Sequence, residues 1–342
     1  MEEKEYKYMV AVRCMTFNQS KYILDALNGF VMQQTNFPYV VMVVDDASTD
    51  GEQEVIRQFV TEQFDTADTS IAYEKETDYA HITYAQHKTN KNCYIAVLYL
   101  KENHYSQRKP KMPYLAEWRD YVKYEALCEG DDYWIHPQKL QMQVDFLEEH
   151  EEYGLVYGKA KSYIQKENKF GKVIGEKRHG FEDLILSNGI CTLTTLYRIS
   201  ALEGYNELVR EIRERDNWKM GDYPMWLYIS LDYKIYFFDE IFAVYRVLED
   251  SASHSTSYEK QKEFLESVYD IKYFFIEKCY SNNFMSLKIK LEDMKNHNIF
   301  NLLIARGKTL EARLYFSKIN RPTLKEYIKY ICFILLPFNY KR

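Results

Sequence analysis

Along the first half of the chain, apolar runs of strand length alternate with segments whose apolar residues recur at helical spacing. Residues 8–14 and the valine-rich run 37–44 read as buried strands. Between them Ile23, Ala26, Leu27, Phe30 and Val31 share one face of a helix expected over 21–34. After Asp45-Asp46, the residues Ser48-Thr49-Asp50-Gly51 supply the turn and cap of a helix ending near 64. Further strands are expected at 71–75 and 121–128, and Pro137 opens a helix whose apolar face carries Leu140, Val144 and Leu147. Alternation of this kind predicts an α/β fold, a mixed, mostly parallel sheet flanked by helices. The stretch 77–113 is polar and tyrosine-rich, with one apolar run at 94–100, and its pattern assigns no clear elements.

The pattern continues with strands near 155–163 and 192–197, a helix near 181–186, a charged helix near 205–215, a helix at 223–231, and strands at 234–239 and 242–247. Beyond 255 the periodicity is helical only. The expected division is therefore a domain over 1–255 and a helical C-terminal extension over 256–342. The apolar run 327–338 is too short to span a bilayer. Flanked by Lys325, Lys329, Lys341 and Arg342, it reads either as a helix packed on the domain or as a segment lying in a membrane interface.

Composition narrows the class. With 342 residues, 46% hydrophobic and 28% charged, and only 12 Gly and 7 Pro, the chain is globular rather than disordered. A formal charge of −6 gives no general electrostatic reason to bind nucleic acid. The six cysteines show no Cys-x-x-Cys spacing, and Cys14, Cys128, Cys191 and Cys332 sit in apolar runs, which predicts buried, reduced thiols. The acidic start lacks the basic flank and apolar core of a secretion signal, so the expected location is the cytoplasm or, through the tail, the inner face of the plasma membrane.

The candidate chemistry is acidic. In Glu129-Gly130-Asp131-Asp132-Tyr133-Trp134, three carboxylates follow a strand end within four positions. Hard cations such as Mg²⁺ or Mn²⁺ take this kind of oxygen donor together with substrate phosphates. Asp45-Asp46 closes another strand and suits the N–H and hydroxyl donors of a nucleotide, although an Asp before Ser-Thr-Asp also caps a helix. In α/β sheets, ligands bind beyond the carboxyl ends of strands, so the two Asp pairs point to one site. Asp222 precedes a helix and is ambiguous between cap and catalytic group. Tyr245-Arg246 with Ser251, Ser253 and His254 offers a cation and an imidazole for phosphates. Trp134 and Trp226 lie beside acidic motifs and are candidate platforms for a sugar ring. Neither Gly-x-Gly-x-x-Gly after the first strand nor Gly-x₄-Gly-Lys-[Ser/Thr] occurs, which argues against a dinucleotide-dependent dehydrogenase and a P-loop enzyme.

Taken in order, these blocks resemble the family 2 glycosyltransferases of the GT-A fold over roughly residues 8–255. Thr16-Phe17-Asn18-Gln19, Val44-Asp45-Asp46-Ala47-Ser48-Thr49-Asp50-Gly51 and Cys128-Glu129-Gly130-Asp131-Asp132-Tyr133-Trp134 with Pro137, Lys139 and Leu140 are similar to that family's motifs. The resemblance implies an inverting, metal-dependent transferase of the hexosyltransferase type that uses a UDP-sugar or another nucleotide-diphosphate sugar in cell-surface polysaccharide or glycan assembly. By position it places Thr16, Asn18, Asp46 and Asp131 at the nucleotide, with Asp46 on the base. It places Asp132 on Mn²⁺ or Mg²⁺ with His254 alongside, Arg246 and the two tryptophans on the sugar or acceptor side, and Asp222 as general base. Gly221 stands where that family often has Glu. The implied partners are the donor and a saccharide or lipid-linked saccharide acceptor, with no nucleic acid. Two alternatives remain: a nucleotidyltransferase acting on a sugar phosphate, and a glycosyltransferase-like binding protein with a dead site.

Overall fold

A computed structural model describes residues 6–210, 218–248, 257–280 and 283–335. The chain divides into two compact units that interleave in sequence. The first comprises Met1–Gly180, Asn188–Glu203 and Asp232–Val247; the second comprises Phe181–Ser187, Gly204–Leu231 and Leu248–Arg342. This differs from a division at 255, because two earlier segments belong with the C-terminal helices. Phe181 stacks on Tyr280 at 4.5 Å, Lys272 Nζ donates to the Leu186 carbonyl at 2.9 Å, and Lys219 N donates to Ser267 Oγ at 2.7 Å.

The first unit is built on strands β1 (Tyr8–Thr16), β2 (Tyr39–Asp45), β3 (Phe64–Asp65), β4 (Tyr73–Glu76), β5 (Ala80–His87), β6 (Cys93–Leu100), β7 (Val122–Leu127), β8 (Tyr133–Trp134), β9 (Tyr153–Ile164), β10 (Lys169–Ile174), β11 (Leu196–Arg198) and β12 (Lys234–Val247). Its helices are α1 (Ile23–Val31), α2 (Glu52–Gln63), α3 (Ala116–Arg119) and α4 (Lys139–Glu149). The sheet runs β3-β5-β6-β2-β1-β7-β11-β9-β12-β8, with β10 on β9 and β4 on β5. Its centre, β6-β2-β1-β7, is parallel. Asp45 pairs with Thr16, and Arg13 with Leu127, so β1, β2 and β7 finish at the same edge.

All seven residues of β2 are buried, as expected of a strand covered on both faces. Val41 and Val43 join the core formed with Phe30, Ile56, Leu140 and Val144, whereas Val40, Met42 and Val44 face Leu115 and Trp118. Helix α1 lies directly on β8. A side-chain carbon at Gly29 would stand 2.8 Å from the Trp134 amide nitrogen, so the approach requires glycine.

Several elements depart from the sequence pattern. The segment 77–113 contains β5 and β6, whose covered faces mask the alternation. Residues 192–197 are mostly not strand: the Thr194 and Thr195 hydroxyls donate back to the carbonyls of Cys191 and Thr192 at 2.7 Å and close a 3₁₀ turn. The two strands expected over 234–247 are one, β12, whose register against β9 shifts between Phe237 and Ile241. Of the helix expected over 205–215, Tyr205–Leu208 is helical and 211–217 lie outside the described residues. The cysteines are unbridged, and Cys332 is exposed rather than buried.

The second unit contains α5 (Phe181–Leu186), α6 (Tyr205–Leu208), α7 (Tyr223–Asp232), α8 (Tyr258–Lys278), α9 (Phe284–Ala305), α10 (Thr309–Phe316) and α11 (Leu324–Tyr330), followed by a π-helical turn at Ile331–Leu335. Ile299, Phe300, Leu303, Ala312 and Ile319 form a core against Phe316 and Tyr330. Thr323 and Glu326 form a capping box at the start of α11. Among the described residues no helix is long and apolar enough to cross a membrane.

Candidate active site

The loops after β1 and β2 are stitched together. Asp46 N donates to the Thr16 carbonyl at 3.0 Å, Asn18 N donates to Ser48 Oγ at 2.9 Å, and Thr49 N donates to Asn18 Oδ1 at 2.8 Å. Asn18 adopts a left-handed conformation with φ of 54°, which asparagine tolerates better than most residues. Glu52 opens α2 fully buried and ties the two loops: it accepts from Gln19 N at 2.8 Å, from Ser48 Oγ at 2.9 Å, and bonds Thr16 Oγ1. The Thr16 side chain is thus turned inward, and its hydroxyl also meets Gln19 Oε1 at 2.8 Å.

A threonine hydroxyl carries one hydrogen, and this one faces two acceptors. The count balances if Glu52 keeps its proton, and burial does push its carboxyl upward. Glu52 then donates to Thr16, Thr16 donates to Gln19, and the Gln19 side chain is left to bond Asp131.

The first Asp pair is buried in the protein. Asp45 Oδ1 accepts from the loop amide Ser48 N at 3.1 Å and from Gln53 Nε2 at 2.6 Å, its Oδ2 is buried with no hydrogen-bond partner, and burial raises its pKa. Asp46 accepts from the backbone amides of His104 at 2.7 Å and Tyr105 at 3.0 Å, and from Lys111 Nζ at 2.7 Å. Burial works to raise its pKa, but Lys111 and the two amides outweigh it, so the Asp46 carboxyl lies below its ordinary range. A carboxylate has about four acceptor positions, and three are filled. Sequence reasoning missed Lys111, which is 65 residues away in the segment without a readable pattern.

The second pair is arranged differently. Cys128 N and Gly130 N donate to the carbonyls of Arg13 at 3.1 Å and Met15 at 3.2 Å, extending the β1–β7 ladder past the strand ends. A Cβ at Gly130 would collide with Thr16 Oγ1 and Gln19 Oε1, so glycine lets this corner close on the β1 loop. Carboxylate oxygens of Glu129, Asp131 and Asp132 all lie within 4.8 Å of one another. Burial, with the Asp131 charge adding to it, pushes the Asp132 pKa well up; Asp131 is raised as well, chiefly by burial.

Arg246 does not present a free cation to phosphates, contrary to the expectation for Tyr245-Arg246. It is buried, and its backbone N donates to Asp132 Oδ1 at 2.7 Å. Its side chain donates to the Asp131 carbonyl at 2.8 Å, Gln165 Oε1 at 2.7 Å and Asp25 Oδ2 at 2.6 Å. It is a strut that holds the acidic corner.

Neither tryptophan is a sugar platform in this structure. The Trp134 ring points into the core from β8, where Nε1 donates to the Leu193 carbonyl at 2.7 Å, Phe30 meets the ring edge-on at 5.0 Å, and Lys139 Nζ lies over its face at 4.1 Å. Burial lowers the pKa of that lysine to about 7. Trp226 is fully buried in α7. Asp222 is half-buried in the second unit; its carbonyl accepts from Trp226 N at 3.1 Å and Oδ1 from Tyr223 N at 2.8 Å, as a residue that starts a helix does. His254, Ser251 and Ser253 lie outside the described residues.

Three clustered carboxylates, one of them buried and mutually repelled, form an oxygen donor set that fits a hard divalent cation. A separate cleft of about 550 Å³, lined by residues such as Gln34, Asn36, Asn90 and Gln141, lies by the loops at the other end of the parallel strands. Its Asn90 and Gln141 amides already bond the Val31 and Gln33 carbonyls and Asp145, so it offers little chemistry.

No family model matches the chain. Uncharacterised proteins of Mycobacterium tuberculosis and Mycobacterium bovis are each 26% identical to it over 197 residues, covering 55% of this chain and 46% of theirs. The chain thus spans about half the length of the curated relatives it matches. Among solved structures, TarS of S. aureus in complex with UDP is 18% identical with a TM-score of 0.52, over 94% of this chain and 78% of that one. A mannosyltransferase from Pyrobaculum calidifontis in complex with GDP-Man and Mn²⁺ is 12% identical with a TM-score of 0.50, over 95% and 79%. The likeness is one of fold: a GT-A-type mixed sheet, parallel at its centre and flanked by helices.

Proposed function

We propose that this chain is a glycosyltransferase of the family 2 type, moving a hexose from a nucleotide-diphosphate sugar to an acceptor hydroxyl with inversion, in assembly of a cell-surface polysaccharide or related glycan. The observation that carries this reading is the Glu129–Asp131–Asp132 cluster just past the carboxyl end of a central parallel strand, beside the cross-linked loops of β1 and β2. Support comes from neighbours of the same fold whose structures hold UDP or GDP-Man.

In this reading Asp132 and Asp131, with Glu129, hold Mn²⁺ or Mg²⁺, which when bound supplies a positive charge against the departing nucleotide diphosphate. Asp131 also faces the ribose and diphosphate. Asp46 takes a base N–H at its fourth acceptor position, with Asn18 nearby on the stitched loops; Thr16 serves by positioning Gln19. Asp222 accepts the proton of the attacking hydroxyl late in an oxocarbenium-like transition state, so placement matters more than basicity. The acceptor is a saccharide or a lipid-linked saccharide.

The test uses the full chain with Mn²⁺ and a panel of nucleotide sugars, first by thermal shift and then by release of nucleoside diphosphate on sugar transfer. Asp222→Asn is expected to keep the donor-induced shift and to lose turnover by roughly 10²-fold or more. A fully active Asp222→Asn enzyme removes Asp222 as base. Release of pyrophosphate would make the chain a nucleotidyltransferase, a reading already disfavoured because residues 13–20 contain no glycine for a phosphate loop. Donor binding without turnover against any acceptor would make it a binding protein.

A further inference from the structure

Helices α10 and α11 are apolar on the side that the fold does not use. Their inward residues are spent: Ala312 is buried, Phe316 stacks on Tyr330 at 4.0 Å and meets Tyr327 edge-on, and Glu326 is held by His297, Asn301 and Thr323. On α10, Leu310 and Leu314 lie one turn apart with exposures of 85% and 58%. On α11, Leu324 and Ile328 repeat that spacing at 78% and 52%, and Ile331 and Phe333 in the following turn are also exposed. Isolated surface leucines need no explanation, but four large apolar side chains on two successive short helices, with two more in the turn that follows, do.

The charge around them indicates what covers them. Over residues 306–335 the chain carries seven basic residues, Arg306, Lys308, Arg313, Lys318, Arg321, Lys325 and Lys329, against two acidic ones, Glu311 and Glu326, in a chain whose total is −6. Glu326 is turned inward, so among the charged side chains exposed on this segment Glu311 alone is acidic. Arg313, Lys318, Arg321 and Lys325 are all exposed. A second copy of the same face would bring like charges together. Neither helix approaches bilayer-spanning length. Exposed leucine and isoleucine rimmed by lysine and arginine match the boundary between acyl chains and anionic headgroups.

We propose that the outer faces of α10 and α11 dock this protein on an anionic lipid surface, with Leu310, Leu314, Leu324 and Ile328 entering the interface and the surrounding Lys and Arg side chains meeting lipid phosphates. The inference is independent of the proposed reaction, since vesicle binding is read without turnover.

The test is co-sedimentation of the full chain with phosphatidylcholine vesicles, with and without about 30% phosphatidylglycerol, at low and high salt. Binding to the anionic vesicles alone, weakened by salt, is expected. The double variants Leu324→Glu/Ile328→Glu and Lys318→Glu/Lys325→Glu change exposed positions, so melting temperatures near that of the parent are expected. Each is expected to lower partitioning by roughly tenfold or more. No binding to anionic vesicles, equal binding to neutral ones, or undiminished binding by the folded variants overturns the proposal. So does sedimentation showing a dimer that Ile328→Glu dissociates, which would assign the face to a second copy.

Discussion

Two Asp pairs follow two strands of the same sheet, and local sequence makes them look alike. Asp45-Asp46 ends β2 buried in the protein: Asp45 accepts from Ser48 N and the Gln53 side chain, and Asp46 is held by Lys111 and two backbone amides. Asp131-Asp132 follows β7 with a third carboxylate, Glu129, beside it, and Arg246 meets the pair through its backbone amide and through the Asp131 carbonyl rather than ion-pairing with either carboxylate. The Asp46 carboxyl is pushed down and the Asp132 carboxyl up. What separates a structural acid from a candidate metal ligand is therefore the partner supplied from elsewhere in the chain, not the Asp-Asp step itself.

The largest expected effect tests the second pair. Asp132→Ala should reduce metal-dependent transfer by roughly 10³-fold with the fold retained by circular dichroism; activity near the parent level would place the two pairs on the same footing. Glu52 lies between them, bonded to Thr16 and Ser48. Glu52→Ala should lower unfolding free energy by about 2–4 kcal/mol in urea, because Gln19 N and Ser48 Oγ lose their acceptor and the Thr16 hydroxyl loses its partner. Glu52→Gln should stay within about 1 kcal/mol of the parent if the acid is protonated in the fold. A Gln variant as unstable as the Ala variant would mean that Glu52 is charged.

Lys111→Met removes the cation from the first pair and should cost about 2 kcal/mol, a figure moderated by the partial exposure of Lys111. The Asp46 pKa is depressed, so its contribution is present above the unfolded value of about 4 and is lost as pH falls. In Lys111→Met that loss should begin at higher pH. Asp132 has the opposite sign: its raised pKa favours the fold below about 4, and this contribution is lost as pH rises through the folded pKa. Metal-free Asp132→Asn should therefore melt on the order of 3 °C above the parent at pH 8, and Mn²⁺ should raise the parent alone. A parent that melts no lower than Asp132→Asn without metal would remove the contrast between the corners.

The strand ends, the helices between them and both acidic corners are legible in sequence because each is a local pattern: a valine run, a turn, a cap. Failures occur where long-range packing decides. The β5 strand hides in a polar stretch because its Thr83 and His87 are buried among apolar neighbours, which blurs the alternation. Arg246 reads as a phosphate ligand until its partners Asp25 and Gln165, from distant segments, are seen. Trp134 lies two residues after Asp132 but, opposite Tyr133 in the strand alternation, points to the core face of β8. Lys111 carries no motif; an unassigned lysine in a loop after a strand neighbouring β2 is the only available signal.

The interleaving of the two units also bears on how this protein can be cut, recombined or inherited. Residues 181–187 and 204–231, which include Asp222, belong to the same compact body as the helices beyond 257, through the ring of Tyr280, the Lys272 amine and the Ser267 hydroxyl. A crossover or stop codon near 255 would leave those segments without their partners instead of releasing a self-sufficient catalytic module. Exchange of the C-terminal helices between relatives is therefore expected to succeed only when residues 181–187 and 204–231 travel with them.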